Sequence, residues 1–294
     1  MKITHLTAGL AFDPQATLGE GPLWDPARNR LVYVDILGRT VHEFDPSTGR
    51  NRTLSMPTMD GAIGLTTKGD WIAAAGSSFA RIDPASGNFA AIVEVESPER
   101  RTRMNDGAVD PAGRFWAGTM SLEGEAGQGT LYRLDPDGTV TPMIAPVTTS
   151  NGPAWSPDGR TMYYVDTRTR RIDALDFDVQ AGTCTNRRPF VDFEGQPGRP
   201  EGVIVDEEGG LWVGLWMGRA AHRYRPDGTL DTVVDLPASC VTKCAFGGPD
   251  LLDMYITTAR LPGDEEDRAI EPQAGGLFHV RPGVRGMPPV RFAG

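Results

Sequence analysis

The sequence predicts an all-β fold, a six-bladed β-propeller, and three observations point to it. Helical periodicity is nearly absent, while short β-branched and aromatic runs recur between Gly, Pro, Asp and Asn clusters: RLVYVDI, DWIAAAG, RFWAGTM, TMYYVDT, GLWVGLW and DMYITTA. Each run follows a turn (WDPARN, LTTKGD, VDPAGR, WSPDGR, VDEEGG, FGGPDL) and precedes a second strand segment such as TVHEFD, FARID, TLYRLD or AAHRYR. The residues just before the first turn, Trp24, Leu65, Val109, Trp155, Val205 and Phe246, lie 41, 44, 46, 50 and 41 positions apart. A period in the forties with about four short strands per unit is the mark of a propeller.

Within each unit the order is inner strand, turn, second strand, turn, third strand. A DPxxG or PDG turn, suited to type I geometry, leads to an outer strand: RTLSM, FAAIVEV, TVTPMI, RPFVDF and LDTVVDL. The sixth unit has a weak outermost strand, and the chain begins with a spare one, KITHLTA. Closure is therefore expected from this N-terminal strand joining the last blade, which leaves no open sheet edge. Residues 1–294 form one domain on this reading.

Gly and Pro make up about a fifth of the 294 residues, consistent with many turns spread through a folded body. The net charge of -10 argues against nucleic acid or an anionic membrane as partner, because both demand clustered Lys and Arg. No signal peptide and no long apolar run is evident, so a cytoplasmic location is expected. Cys184, Cys240 and Cys244 form no CxxC pair and read as small buried hydrophobes. A G-x-S-x-G elbow, a P-loop and ligand-like pairing among His5, His42, His222 and His279 are all missing.

Superposing the units locates a site. Equivalent residues at the starts of the inner strands must ring the central channel, and counting five back from the turn in each unit gives Glu20, Gly61, Asn105, Asn151, Glu201 and Thr242. Asp60 and Asp106 are adjacent. The local strings match (EGPLWDP, NDGAVDP, NGPAWSP, EGVIVDE), with a glycine that lets the backbone pass close to a neighbour or ligand. Taken singly these residues could be hydrogen-bonded to channel water. Together, two carboxylates in one channel repel unless a cation or a shared proton compensates them. Carboxylate and amide oxygens favour a hard divalent ion, Ca2+, Mg2+ or Mn2+, with Fe2+ and Zn2+ also admissible, and an incompletely ligated cation suits hydrolysis.

Around this ring, Arg103 either belongs to a solvated basic turn or reaches over the mouth to a polyol or carboxylate. Glu123 and Glu125, in TMSLEGEAGQG, are loop ligands or exposed charge. Trp212 and Trp216 read as core, with Trp216 a candidate for sugar stacking, and Lys243 is a rim candidate.

GEGPLWDP, RMNDGAVDPAGRFWAGTM, SNGPAWSPDGRTMYYVDT and the terminal MYITTAR with PQAGGLFHV resemble, in order and across almost the whole chain, the SMP-30/gluconolactonase/luciferin-regenerating-enzyme (regucalcin-like) family, and most of all its bacterial sugar-acid lactonases. The resemblance implies one divalent metal held by Glu20, Asn151 and Glu201. It also implies substrate contacts from Arg103, Asn105 and Glu123. Where the family carries the aspartate of a PDG motif, assigned to the metal and to general-base duty, this chain has Glu201 in RPEGVIV, one methylene longer. The expected function is metal-dependent hydrolysis of an aldonolactone of a pentonic or hexonic acid by a monomer or weak homo-oligomer, with Glu201 as the base. The alternatives are a metal-binding regulatory propeller without turnover and a hydrolase of other esters or lactones.

Overall fold

The computed structural model describes residues 2–260 and 270–294. It is all-β and propeller-like, built from small antiparallel sheets that follow one another along the chain. Four of them have four strands each: Gly19–Asp25 to Arg50–Ser55, Asp60–Leu65 to Phe89–Glu94, Thr102–Val109 to Val140–Val147, and Ser150–Trp155 to Thr183–Asp192. A nine-stranded sheet contains the remainder. It combines a fifth group, Arg199–Val205 to Leu230–Asp235, and a sixth, Cys240–Gly247 to Leu277–Val280, joined by one bridged pair, Trp216 with Cys240, with two N-terminal strands, Thr4–Thr7 and Gly9–Phe12. No helix among the described residues is long and apolar enough to cross a membrane.

The second strand of each group is apolar along its length because both of its faces are covered by neighbouring sheets. Six apolar clusters fill the spaces between successive groups. One joins Trp24, Leu31 and Tyr33 of the first group to Ala245, Tyr255 and Leu277 of the last, so the groups close on themselves. Trp71, Trp116 and Trp212 are fully buried; each withdraws roughly 200 Å² from water, worth about 5 kcal/mol. The turn aspartates Asp110 and Asp206 accept from the indole N–H of Trp116 and Trp212, six residues on, each at 2.9 Å. The outermost strands alternate or are largely exposed, as at Arg50–Ser55 and Thr183–Asp192.

Closure differs from the expectation in one respect. KITHLTA does not complete the last group. Thr4–Thr7 lies parallel to Leu230–Asp235 as a fifth strand on the fifth group, and the next segment, Gly9–Phe12, pairs antiparallel with Leu277–Val280. The physical reason is that the fifth group's outer strand also had a free edge. Buried Ala8, whose N–H donates to the Asp235 carbonyl, lets the chain step across. The C-terminal segment crosses the far end of the ring. Gly286 bridges to Asp206 in the fifth group, and Phe292 bridges to Thr66 in the second and is buried there. Between them Met287–Val290 lies over a small apolar cavity lined by the far ends of the inner strands. Cys240 and Cys244 are buried as expected, while Cys184 is only half-buried.

Candidate functional site in the channel

Each inner strand delivers its polar residues at the same place, and the backbone there is irregular in all six. The ladder register shifts between Glu20 and Leu23, Asp60 and Ala62, Met104 and Gly107, Asn151 and Ala154, Pro200 and Val203, and Val241 and Lys243. A bulge re-aims the side chain beside it, and repetition of the bulge turns one residue from each strand toward the axis. The glycines of the repeated motif make this bend feasible. Gly21 and Gly152 adopt φ of +53° and +81°, and a Cβ at Gly61 would lie 2.1 Å from the Asn105 carbonyl oxygen.

Glu20, Arg103, Asn105 and Glu201 line one cavity of about 220 Å³, whose walls are Leu18, Met120, Thr149, Thr167 and Trp216. Asn151 sits directly behind them, fully buried. A continuous hydrogen-bonded chain orders the polar groups. Arg103 Nη1 donates to Asn105 Oδ1 at 2.7 Å, which turns the amide so that Asn105 Nδ2 reaches Asn151 Oδ1 at 3.2 Å and the Ser150 carbonyl at 2.8 Å. Asn151 Nδ2 in turn donates to Glu201 Oε2 at 3.0 Å and to Thr167 Oγ1 at 2.8 Å. Thr167 Oγ1 lies 2.9 Å from the Pro200 carbonyl and 3.3 Å from Glu201 Oε1. Glu20 accepts at Oε2 from the N–H of Gly21, 2.8 Å away.

Beneath this layer, Asp106 is fully engaged. Its Oδ1 accepts from Lys243 Nζ at 2.5 Å and from the Gly107 N–H at 2.7 Å, and its Oδ2 accepts from the Gly152 N–H at 2.8 Å. Lys243 is therefore not a rim residue; it is buried, with its stem packed over Gly202.

Burial dominates the electrostatics. It raises the Glu20 carboxyl well above the usual carboxylate range, with Asp106 and then Glu201 adding repulsion. Burial followed by repulsion from Asp106 raises Glu201 to about 8, against the pull of its Thr167 and Asn151 hydrogen bonds and of Arg103. Burial brings Arg103 down to about 10 despite Glu20 and Glu201. Asp60, with Oδ2 buried and unpartnered, rises to about 6 by burial while Thr58 pulls the other way.

Among the described residues no three His, Cys, Asp or Glu side chains converge as a ligand cluster. The channel offers instead two carboxylates and an amide oxygen, since Asp106 is neutralised by Lys243. Two buried carboxyl groups beside an amide, all oxygen donors, form a set that suits a hard divalent cation.

Of the residues expected from sequence, Glu20, Arg103, Asn105, Asn151 and Glu201 come together. Glu123 does not join them. Its side chain is 46% exposed and pairs with Arg101 Nη1 at 2.7 Å on the surface. Thr167 was missed as a site element, and Asp106 and Lys243, noted beside the ring and at its rim, were not expected to pair. All three answer to partners on other strands, and the only sequence signals were adjacency to the ring and the polar end of TMYYVDT.

A closed ring of small sheets around an oxygen-lined channel defines an all-β, propeller-like protein with its candidate site in the channel. Residues 18–260 match the model of the SMP-30/gluconolactonase/LRE-like region, and the chain belongs to that family. It is 38% identical to the putative sugar lactone lactonase YvrE of Bacillus subtilis over 290 residues, covering 98% of this chain and 99% of that one. It is 37% identical to regucalcin of Xenopus laevis, covering 94% and 95%. Among solved structures, the calcium-binding protein regucalcin of Agrobacterium tumefaciens superposes with a TM-score of 0.94 at 30% identity, over 99% of both chains.

Proposed function

We propose that the protein is a six-bladed propeller that hydrolyses a sugar lactone to the free acid, with the cavity at the channel mouth as the active site. The observation that carries this is the convergence of Glu20, Glu201, Asn105 and Arg103 on one largely buried cavity, with Asn151 hydrogen-bonded behind them, five groups from four different inner strands. Family membership and similarity to a putative sugar lactone lactonase support it.

Glu20, Asn151 and Glu201 would hold a divalent ion, which when bound supplies Lewis-acid polarisation of a carbonyl. Arg103, a pure donor, and Asn105, locked by it, orient the hydroxyls or the carbonyl of the sugar. Water attacks the lactone carbonyl carbon and Glu201 takes its proton. The acyl-carbon-to-ring-oxygen bond then breaks, and the ring oxygen leaves as a hydroxyl carrying that proton. The Asn151 hydrogen bond to its Oε2 and the Thr167 hydroxyl beside its Oε1 hold the Glu201 carboxylate in place for this exchange. The Leu18, Met120 and Trp216 walls exclude bulk water and give a pyranose face an apolar surface.

The test is direct. Chelator-treated protein, re-supplied with single divalent ions and offered a panel of aldonolactones, is expected to release acid faster than buffer with at least one ion. No acceleration with any ion or lactone overturns the reading. A second reading, a metal-binding propeller without turnover, draws on the calcium-binding description of the Agrobacterium relative. It is favoured if metal binds tightly, no lactone is hydrolysed, and Glu201→Asp creates activity.

A further inference from the structure

The rim of the cavity carries two arginines that the proposed chemistry leaves unused. Arg168 stands in the short 3-10 turn Thr167–Thr169, and Arg199 opens the inner strand Arg199–Val205. Both are exposed and both line the cavity that contains Glu20, Arg103, Asn105 and Glu201. The hydrogen bond from Thr167 Oγ1 to the Pro200 carbonyl, 2.9 Å, ties their immediate neighbours in the chain together. Arg168 leans toward the loop of the neighbouring third group, its Nη2 3.5 Å from the position a Cβ would take at Gly124.

Neither arginine has an ion pair or a hydrogen bond among the described residues, unlike its neighbours in the chain. In the run from Arg168 to Arg171, Arg170 bonds the carbonyls of Phe193, Gln196 and Gly198, and Arg171 pairs with Asp173 at 2.8 Å. Arg168 is the member turned to the cavity. A surface with a net charge of -10 offers many carboxylates, so two guanidinium groups lining one cavity mouth without one call for an anion from elsewhere.

A neutral aldonolactone has no charge for them. The carboxylate that hydrolysis creates forms at the carbonyl carbon, on the floor beside Glu201, and not at the rim. An anion at the rim must therefore belong to the substrate's other end. We propose that Arg168 and Arg199 make the cavity specific for a lactone whose far end bears a second anionic group, a carboxylate or a phosphate. The planar guanidinium fork suits either group, and Arg103 remains for the hydroxyls. This inference rests on the lactonase reading and names its substrate class.

The experiment compares kcat/KM for a neutral aldonolactone, an aldarolactone and a 6-phospho-aldonolactone, in the metal-loaded wild type, Arg168→Gln, Arg199→Gln and the double variant. The wild type is expected to favour one of the two anionic lactones by about tenfold or more, and the double variant to reduce that anionic-to-neutral ratio by roughly 10- to 100-fold. The preferred substrate distinguishes carboxylate from phosphate. A wild type that handles the neutral lactone as well as both anionic ones, or a ratio unmoved in the double variant, overturns the proposal while leaving the lactonase reading intact. If no lactone is hydrolysed, the lactonase reading fails instead, and calorimetric titration decides the rim. Aldarate and phospho-aldonate are titrated beside aldonate at constant metal. Tenfold tighter binding of one of the more highly charged acids, lost in the double variant, supports the anion site, and equal binding of all three overturns it.

Discussion

Lys243 Nζ lies 2.5 Å from Asp106 Oδ1, both side chains are buried, and the pair joins an inner strand of the third group to one of the sixth, almost opposite in the ring. Removing one partner strands the other. Lys243→Met is expected to lower unfolding stability by about 3–5 kcal/mol, the cost of an uncompensated buried carboxylate. The double variant with Asp106→Asn should recover part of that loss, as read from the urea midpoints of the four members of a double-mutant cycle.

Asp60 gives a pH signature. Its folded pKa, raised by burial to about 6, exceeds the usual value of 3.8. A carboxyl raised on folding favours the native state fully below the unfolded value, and that contribution disappears as pH rises through the folded one. Over the window from pH 4 to 6 the ionised, unpartnered oxygen withdraws about 3 kcal/mol. Asp60→Asn is therefore expected to stabilise the protein at pH 7–8 and to have little effect near pH 4. Thermal melts of both proteins across that range check this.

Gly61 is held by contact. An added Cβ would meet the Asn105 carbonyl at 2.1 Å, and that atom is backbone. Gly61→Ala is expected to cost at least about 2 kcal/mol and to displace Asn105 from Asn151, lowering lactone turnover more than metal affinity. Steady-state kinetics beside metal titration separates the two effects.

Divalent ion should also stabilise the fold if the channel carboxylates hold it. At about 100 times its dissociation constant a ligand adds about 2.7 kcal/mol. The resulting upward shift in Tm, roughly 5 °C for a chain of this size, should vanish in Glu20→Gln and in Asn151→Ala. A melt that ignores every divalent ion tested would remove the metal from the site.

Glu201→Gln keeps the hydrogen-bonding geometry toward Asn151 but cannot take a proton. A loss of about 10²- to 10⁴-fold in kcat is expected, with an unchanged far-ultraviolet circular dichroism spectrum. Retention of more than a tenth of the activity would reassign the base.

The repeat made much of this legible before any coordinates. Trp24, Leu65, Val109 and their counterparts set a common frame, and five positions back from the turn that frame reached Glu20, Asn105, Asn151 and Glu201 because equivalent strands must present equivalent positions to one axis. What the frame could not show depends on register. The bulges lie between residues whose pairing partners are fixed only on folding. Lys243 looked like a rim residue until its stem was placed over Gly202, and Thr167 gained its role from Pro200 and Glu201 on the adjoining sheet. KITHLTA was assigned to the edge that the residues just after it, Gly9–Phe12, take, because two outer edges were open and the strand pattern fits either.

The C-terminal segment that crosses from Asp206 to Thr66 has a consequence for traffic. With Met287–Val290 laid over it, the far end of the channel is covered, and on the proposed function a lactone that enters past Trp216 backs out the same way. Arrival and departure therefore share one doorway and take turns in it. On the two proposals together, a departing acid competes with the next arrival for Arg168 and Arg199, so the residues that greet a guest also set how long it lingers.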